Sequence, residues 1–101
     1  MVTASPSGIA WVYMLRCADG SLYTGWSTDV ARRLQRHQAG VASRYTASRL
    51  PVELVYEAAL EDRSAAMREE ARIKALRRPE KLALIADRRG SATERRAGQR
   101  S

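Results

Sequence analysis

The stretch WVYMLRCADGSLYTGW, residues 11–26, decides the fold of the first half of this 101-residue chain. Two runs rich in β-branched, aromatic and aliphatic residues flank the segment ADGS at 18–21, which is typical of a β-hairpin. A two-residue turn at Asp19-Gly20 would place Tyr13 and Tyr23 on opposite faces of the hairpin. A three-residue turn, with the glycine in the left-handed region, would place both phenols on one face. We predict the three-residue turn, because only that register lets both tyrosines serve one site.

The residues after the hairpin predict a helix, a loop and a third strand. Ser27-Thr28-Asp29 offers capping side chains for a helix that runs to about Gln38, with Gly40 as its stop. On this helix Val30 and Leu34 are expected to face the core, with Arg33 and His37 one row round on the same side. Residues 41–49 are predicted to form a loop, and Pro51 precedes a strand at 52–58.

The last third of the chain predicts two more helices. Asp62 is expected to cap a helix that runs to about Leu76, and Pro79 to open a short final helix that runs to about Ala86. Apolar residues recur at helical spacing in both segments. They are Ala66, Met67, Ile73 and Leu76 in the longer helix, and Leu82 and Ile85 in the final one.

Length and composition favour one small folded domain at residues 11–86. We expect residues 1–10 to form a flexible segment and residues 87–101 a basic, disordered tail. No apolar run approaches the length of a membrane span, and the N-terminus does not resemble a signal peptide. The lone Cys17 cannot form an internal disulfide, which favours a cytoplasmic location.

The charge predicts a polyanionic partner. The formal net charge is +7, and 16 of the 18 basic residues are arginines, whose planar forks suit phosphate. A genome-wide bias toward arginine would also explain the arginine excess, but it would not explain the net charge. Nucleic acid is therefore the expected partner, and we predict no membrane contact.

Five spaced side chains could together cut a phosphodiester. Tyr13 and Tyr23 offer hydroxyls that could activate water, although aromatic residues in strands are usually packing residues. Arg33 and His37, four apart on one helix, could contact one phosphate together. Glu70 offers a carboxylate for a metal ion.

Alternatives remain open around that carboxylate. Glu69 also falls near the apolar arc of its helix, so helical geometry alone does not choose between the two glutamates. Glu70 could also form a simple surface ion pair with Lys74. Without a second histidine, a carboxylate cluster or a CxxC motif, zinc is not expected, whereas a single carboxylate suits Mg²⁺ or Mn²⁺.

Two short motifs and two helical runs resemble the signature of the GIY-YIG nuclease superfamily. They are Val12-Tyr13-Met14, Tyr23-Thr24-Gly25, the run DVARRLQRH at 29–37, and EARIK at 70–74. The resemblance covers roughly residues 11–85 and extends to the small, stand-alone bacterial members. The first motif lacks its glycine, and the chain contains no asparagine, which many active members carry late in the domain.

The resemblance implies an α+β fold, with a three-stranded antiparallel sheet flanked by helices. It implies that Tyr13 positions or deprotonates the attacking water with support from Tyr23. Arg33 would hold the phosphate with help from His37, and Glu70 would bind one Mg²⁺ or Mn²⁺. Further residues are expected to contact nucleic acid: Arg32 and Arg36 on a solvated basic face, and Thr46, Arg49 and Lys74 near the site.

The expected activity is therefore metal-dependent cleavage of DNA with little sequence preference, in a process such as DNA repair. Two alternatives stay open. The chain could be a nucleic-acid-binding module that keeps the fold without turnover, or a subunit that is active only with a protein partner. The stand-alone members lack extra recognition domains, so any selectivity would come from DNA shape or from such a partner.

Overall fold

The computed structural model describes residues 8–87 as a three-stranded antiparallel sheet flanked by helices, and the predicted α+β class is confirmed. The elements in chain order are β1 (Ala10–Arg16), β2 (Leu22–Ser27), α1 (Val30–Gln38), α2 (Arg44–Ala47), β3 (Glu53–Leu60), α3 (Arg63–Lys74) and α4 (78–87). The strand order is β2-β1-β3, so β1 lies in the centre. Of the predicted terminal segments, residues 1–7 and 88–101 lie outside the described residues, Gly8 and Ile9 precede β1, Ala10 belongs to β1 and Asp87 to α4.

The hairpin turn has the predicted three-residue form. Gly20 lies in the left-handed region at φ +87°, and its N–H donates to the carbonyl of Cys17 at 2.9 Å. The Cys17 N–H donates to the carbonyl of Ser21, also at 2.9 Å, which closes the loop on that pair. Leu15 therefore pairs with Tyr23, and the two phenols lie on one face of the sheet as predicted.

The sheet separates two hydrophobic clusters, one on each face. Alternation along β1 sends Val12 and Met14 to one face and Tyr13 and Leu15 to the other. The first cluster packs against α3 and α4 and comprises Val12, Met14, Val55, Ile73 and Ile85. The second packs against α1 and comprises Tyr13, Leu15, Cys17, Val30 and Val52.

The helix boundaries follow the predicted caps. The Asp29 carboxylate accepts the N–H of Arg32 at 3.1 Å at the start of α1, and Gly40 at φ +80° follows its end. The Asp62 carboxylate accepts the N–H of Ala65 at 2.8 Å at the start of α3. None of the helices within residues 8–87 is both long enough and apolar enough to cross a bilayer.

Four details of the predicted elements are wrong. Residues 41–49 contain the helical turn α2, because the Ser43 side chain accepts the N–H of Thr46 and caps it. Met67 is 51% exposed, so the stripe of α3 rests on Ala66 and Ile73. In α4, Leu84 packs against the core and Leu82 faces outward. The third strand also begins one residue later and ends two residues later than predicted.

Candidate active site

A cleft of about 380 Å³ lies at the C-terminal end of the edge strand β2. Four of the five predicted catalytic residues line it, from three regions of the fold. They are Tyr13 and Tyr23 on the hairpin, Arg33 on α1 and Glu70 on α3. The cleft therefore takes side chains from helices on both faces of the sheet, because it opens beside the edge strand β2, where residues 8–87 place no further strand.

Gly25 brings the Tyr13 phenol to this cleft. The two residues are directly paired across β1 and β2. A Cβ atom at Gly25 would lie 2.6 Å from the Tyr13 Oη and 2.8 Å from its Cζ, well inside van der Waals contact. A residue without a side chain is thus required for the tyrosine ring to lie across the β2 backbone.

His37 lies behind Tyr13 and is completely buried, with 0% exposure. Its Nε2 is 2.8 Å from the Tyr13 Oη, and its Nδ1 is 2.8 Å from the Thr46 Oγ1. The rings of Tyr13 and Tyr23 both meet the imidazole edge-on, with centroids 5.8 and 5.1 Å away. The prediction that His37 contacts phosphate is therefore wrong, because both ring nitrogens are occupied inside the protein.

Burial keeps the Tyr13–His37 pair neutral. It raises the pKa of Tyr13, the nearby Tyr23 raises it further, and the Arg33 guanidinium opposes both effects without overcoming them. Burial also lowers the pKa of His37, and the positive charge of Arg33 adds to that shift. The site thus contains a protonated phenol hydrogen-bonded to an uncharged imidazole at neutral pH.

The two glutamates that helical geometry left open have different surroundings. Glu70 lines the cleft, and its carboxylate also lies 3.3 Å from the Nζ of Lys74. Glu69 is held by the Arg72 guanidinium through two hydrogen bonds of 2.6 and 2.9 Å, which lower the pKa of Glu69. Glu70 is therefore the carboxylate available to a ligand in the cleft, and the Lys74 side chain, 55% exposed, can swing away from it.

Two guanidinium groups line the cleft without a protein partner. Within residues 8–87, neither Arg33 nor Arg63 has a side-chain hydrogen bond or ion pair. The sequence reasoning missed Arg63. Two signals mark it: it begins α3, where a cation opposes the helix dipole, and it lies seven residues before Glu70 on the same helical face.

The residues predicted to contact nucleic acid differ in their exposure to solvent. Arg32 and Arg36 are exposed on α1, as a solvated basic face requires. Thr46 is buried with 0% exposure, so the prediction that it contacts nucleic acid is wrong.

Arg49 ties the hairpin turn to α2. Its Nε donates to the carboxylate of Asp19 at 3.0 Å and its Nη1 to the carbonyl of Tyr45 at 2.9 Å, while the guanidinium lies 3.9 Å above the Tyr45 ring. Tyr45 in turn stacks on Tyr23, with 6.0 Å between centroids. Arg49 thus supports the wall of the cleft, and direct contact with nucleic acid stays a prediction for Arg49 and Lys74.

A three-stranded antiparallel sheet with two tyrosines, an arginine and a glutamate around one edge cleft defines a GIY-YIG catalytic domain. Residues 9–83 match the model of that family, and the chain belongs to it. The family is part of a nuclease superfamily whose members generally use divalent metals.

Among curated proteins, the chain is similar to the UPF0213 protein of Streptococcus sanguinis, with 49% identity over 82% of this chain and 95% of that protein. It is equally similar, at 49% identity, to the UPF0213 protein NP_0776A of Natronomonas pharaonis, over 79% of this chain and 94% of that protein. Among solved structures, it resembles the solution NMR structure of the UPF0213 protein BH0048 from Bacillus halodurans. That match has a TM-score of 0.51 and 42% identity, and covers 77% of this chain and 83% of that one.

Proposed function

We propose that this protein is a metal-dependent endonuclease that hydrolyses phosphodiester bonds in DNA with low sequence specificity. The observation that carries the proposal is the convergence of the Tyr13 hydroxyl, the Arg33 guanidinium and the Glu70 carboxylate on one cleft. Water activation, charge stabilisation and metal binding each need one of these groups. The family membership of the chain supports the same assignment.

Glu70 is the residue proposed to hold Mg²⁺ or Mn²⁺. Within residues 8–87, no three His, Cys, Asp or Glu side chains are grouped so that they could hold a metal ion. A site with one protein carboxylate fits a hard cation that keeps most of its waters and shares the substrate phosphate, as Mg²⁺ commonly does. When bound, such an ion would supply positive charge to the leaving oxygen.

Tyr13 and His37 are proposed to move the proton of the attacking water. A free phenolate at neutral pH would cost at least about 4 kcal/mol even at the ordinary phenol pKa near 10, and burial raises the pKa of Tyr13 further. A relay avoids this cost. The Tyr13 oxygen takes the water proton while its own proton moves along the 2.8 Å hydrogen bond to Nε2 of His37. A neutral imidazole, favoured by the lowered pKa of His37, is the state that can accept it.

Arg33 is proposed to bind the scissile phosphate and stabilise its developing charge. Its guanidinium makes no hydrogen bond or ion pair with any side chain among residues 8–87, so its donors are available to phosphate oxygens. The exposed Arg32 and Arg36 on the same helix would contact flanking phosphates. Phosphate contacts carry no sequence information, which is why low sequence specificity is expected. A role in DNA repair stays a prediction.

We expect the purified protein to nick supercoiled plasmid or branched DNA when Mg²⁺ or Mn²⁺ is present, and to stop when a chelator removes the metal. A single carboxylate ligand holds the ion weakly, so chelation should be rapid and reversible. Nicking is measured on gels across a metal titration, and DNA binding by fluorescence anisotropy in the same buffers. Binding without nicking at any metal concentration would favour the non-catalytic module. Nicking only in a pulled-down complex would favour the partner-dependent subunit.

Arg63 is proposed to hold a phosphate that flanks the scissile one. Seven residues of helix separate its backbone from that of Glu70 by about 10 Å along the axis, which is why we assign it to a neighbouring phosphate and not to the one beside Glu70. We expect Arg63→Ala to raise KM for DNA about three- to tenfold with kcat little changed, and to lower the salt slope of binding by about one. Arg68→Ala is the matched control, because it removes the same charge from an exposed position on the same helix. Equal effects of the two variants would mean that Arg63 contributes only general charge.

A further inference from the structure

The buried hydroxyl of Thr46 lies against the far side of the His37 ring. The Thr46 Oγ1 is 2.8 Å from the Nδ1 of His37, and neither residue has any exposed surface. The same hydroxyl lies 3.0 Å from the side-chain oxygen of Ser43 and 3.4 Å from its carbonyl oxygen. A continuous row of hydrogen-bonding groups thus runs from Tyr13 through His37 and Thr46 to the cap of α2.

The direction of these hydrogen bonds decides what His37 can do for Tyr13. A neutral imidazole has one N–H donor and one bare nitrogen acceptor, and its partners select the tautomer. If Nδ1 carries the proton, Nε2 is bare and can accept from the Tyr13 hydroxyl. If Nε2 carries the proton, it donates to Tyr13, and residues 8–87 then offer the phenol no other hydrogen-bond acceptor for its own proton.

The surroundings of Thr46 favour the first arrangement. The carbonyl oxygen of Ser43 can only accept, so it provides an acceptor for the single Thr46 hydroxyl proton at 3.4 Å. Either hydroxyl can be the donor in the 3.0 Å contact between the Ser43 and Thr46 side chains, and in both cases the Thr46 oxygen keeps a lone pair for the imidazole. A Thr46 hydroxyl that donates toward Ser43 offers its lone pairs to the imidazole. It therefore accepts from Nδ1–H, which leaves Nε2 bare on the side of Tyr13.

We propose that Thr46 is a positioning residue that fixes the Nδ1–H tautomer of His37. This inference rests on the proposed function for its purpose, which is to keep Nε2 ready to receive the Tyr13 proton. It also gives α2 a role, because Ser43 caps that helical turn through the N–H of Thr46 at 3.1 Å and so fixes the position of the threonine. Histidine with the wrong tautomer cannot serve as a proton acceptor at the required nitrogen.

Nitrogen-15 NMR of the full chain, uniformly labelled and free of metal and DNA, tests the tautomer directly. A protonated ring nitrogen and a bare one resonate in separate ranges, so the spectrum identifies each atom. We expect a protonated Nδ1 and a bare Nε2 in the wild type. Thr46→Val, which keeps the side-chain shape without the hydroxyl, should lose this single tautomer, and Thr46→Ser should retain it. A wild-type Nε2–H tautomer, or an unchanged ring in Thr46→Val, would overturn the proposal.

The rate of single-turnover nicking supplies a second readout. We expect Thr46→Val to lower that rate by at least about tenfold with DNA affinity unchanged, and Thr46→Ser to restore it. If Thr46 has only a structural role, Thr46→Val and Thr46→Ser should each lose nicking rate in proportion to the fraction of the variant that is unfolded. The NMR result needs no turnover, so a chain that never nicks DNA and yet has the Nδ1–H tautomer would contradict the nuclease proposal and support the assignment of Thr46.

Discussion

Glu70→Gln is expected to reduce metal-dependent nicking by about a thousandfold. The change keeps the shape of the side chain but removes the negative charge proposed to hold the metal ion. A metal that acts as a Lewis acid contributes several kcal/mol to transition-state stabilisation, and about 4 kcal/mol corresponds to a factor of roughly 10³. DNA affinity should be retained or rise slightly, because the substitution removes a negative charge from the cleft that is proposed to receive phosphate. Single-turnover nicking and anisotropy measure the two quantities on the same preparation.

Glu69→Gln is the matched control for this prediction. It makes the same chemical change one residue earlier on α3, where the carboxylate is held by Arg72 and does not line the cleft. We expect its nicking rate within about twofold of wild type, with a stability loss of roughly 0.5 kcal/mol from the exposed ion pair. Wild-type activity in Glu70→Gln, or equal losses in both variants, would contradict the metal-binding role of Glu70.

The sequence alone does not choose between Glu69 and Glu70. Consecutive helical residues differ by about 100° in direction, and both glutamates border the apolar stripe of α3. The choice depends on which side of the stripe faces the sheet edge and on whether a neighbour such as Arg72 captures one carboxylate. Both features depend on tertiary packing, which the spacing of residues along a single helix does not reveal.

Local rules predicted the elements that local chemistry determines. The αL glycine at position 20 set the hairpin register, and Asp29 and Asp62 set the helix starts, because caps and turns use neighbouring residues alone. The helical turn α2 was missed because its four residues form no apolar period and only the Ser43 cap signals it.

The roles of His37 and Thr46 were wrong for a different reason. In the sequence they are a basic and a polar residue, types that are more often exposed than buried. Their burial follows from the Tyr13 phenol, whose hydroxyl needs a partner inside the protein once its ring crosses β2. The hairpin register predicts the face on which Tyr13 lies, but the sequence does not identify the buried polar groups that its hydroxyl requires.

Gly25→Ala is expected to reduce nicking by about a hundredfold or more while the protein still folds. The new methyl group would stand 2.6 Å from the Tyr13 Oη, so the phenol must move. Displacement by about 1 Å is enough to cost roughly 10² in rate when a reacting group is misplaced. It also breaks the 2.8 Å hydrogen bond to His37 inside the protein, which should lower the free energy of unfolding by about 1–3 kcal/mol.

Gly20→Ala separates the effect on the site from the effect on stability. Gly20 has φ +87°, and a Cβ atom added to it would have no neighbour within 4 Å, so an alanine there is strained without touching the cleft. We expect it to lower stability by about 1 kcal/mol and to leave the nicking rate per folded molecule unchanged. Thermal unfolding gives the folded fraction of each variant, and single-turnover nicking is then compared at equal folded concentration. If Gly25→Ala loses no more activity than Gly20→Ala after this correction, the close packing of Tyr13 on β2 does not position the phenol for catalysis.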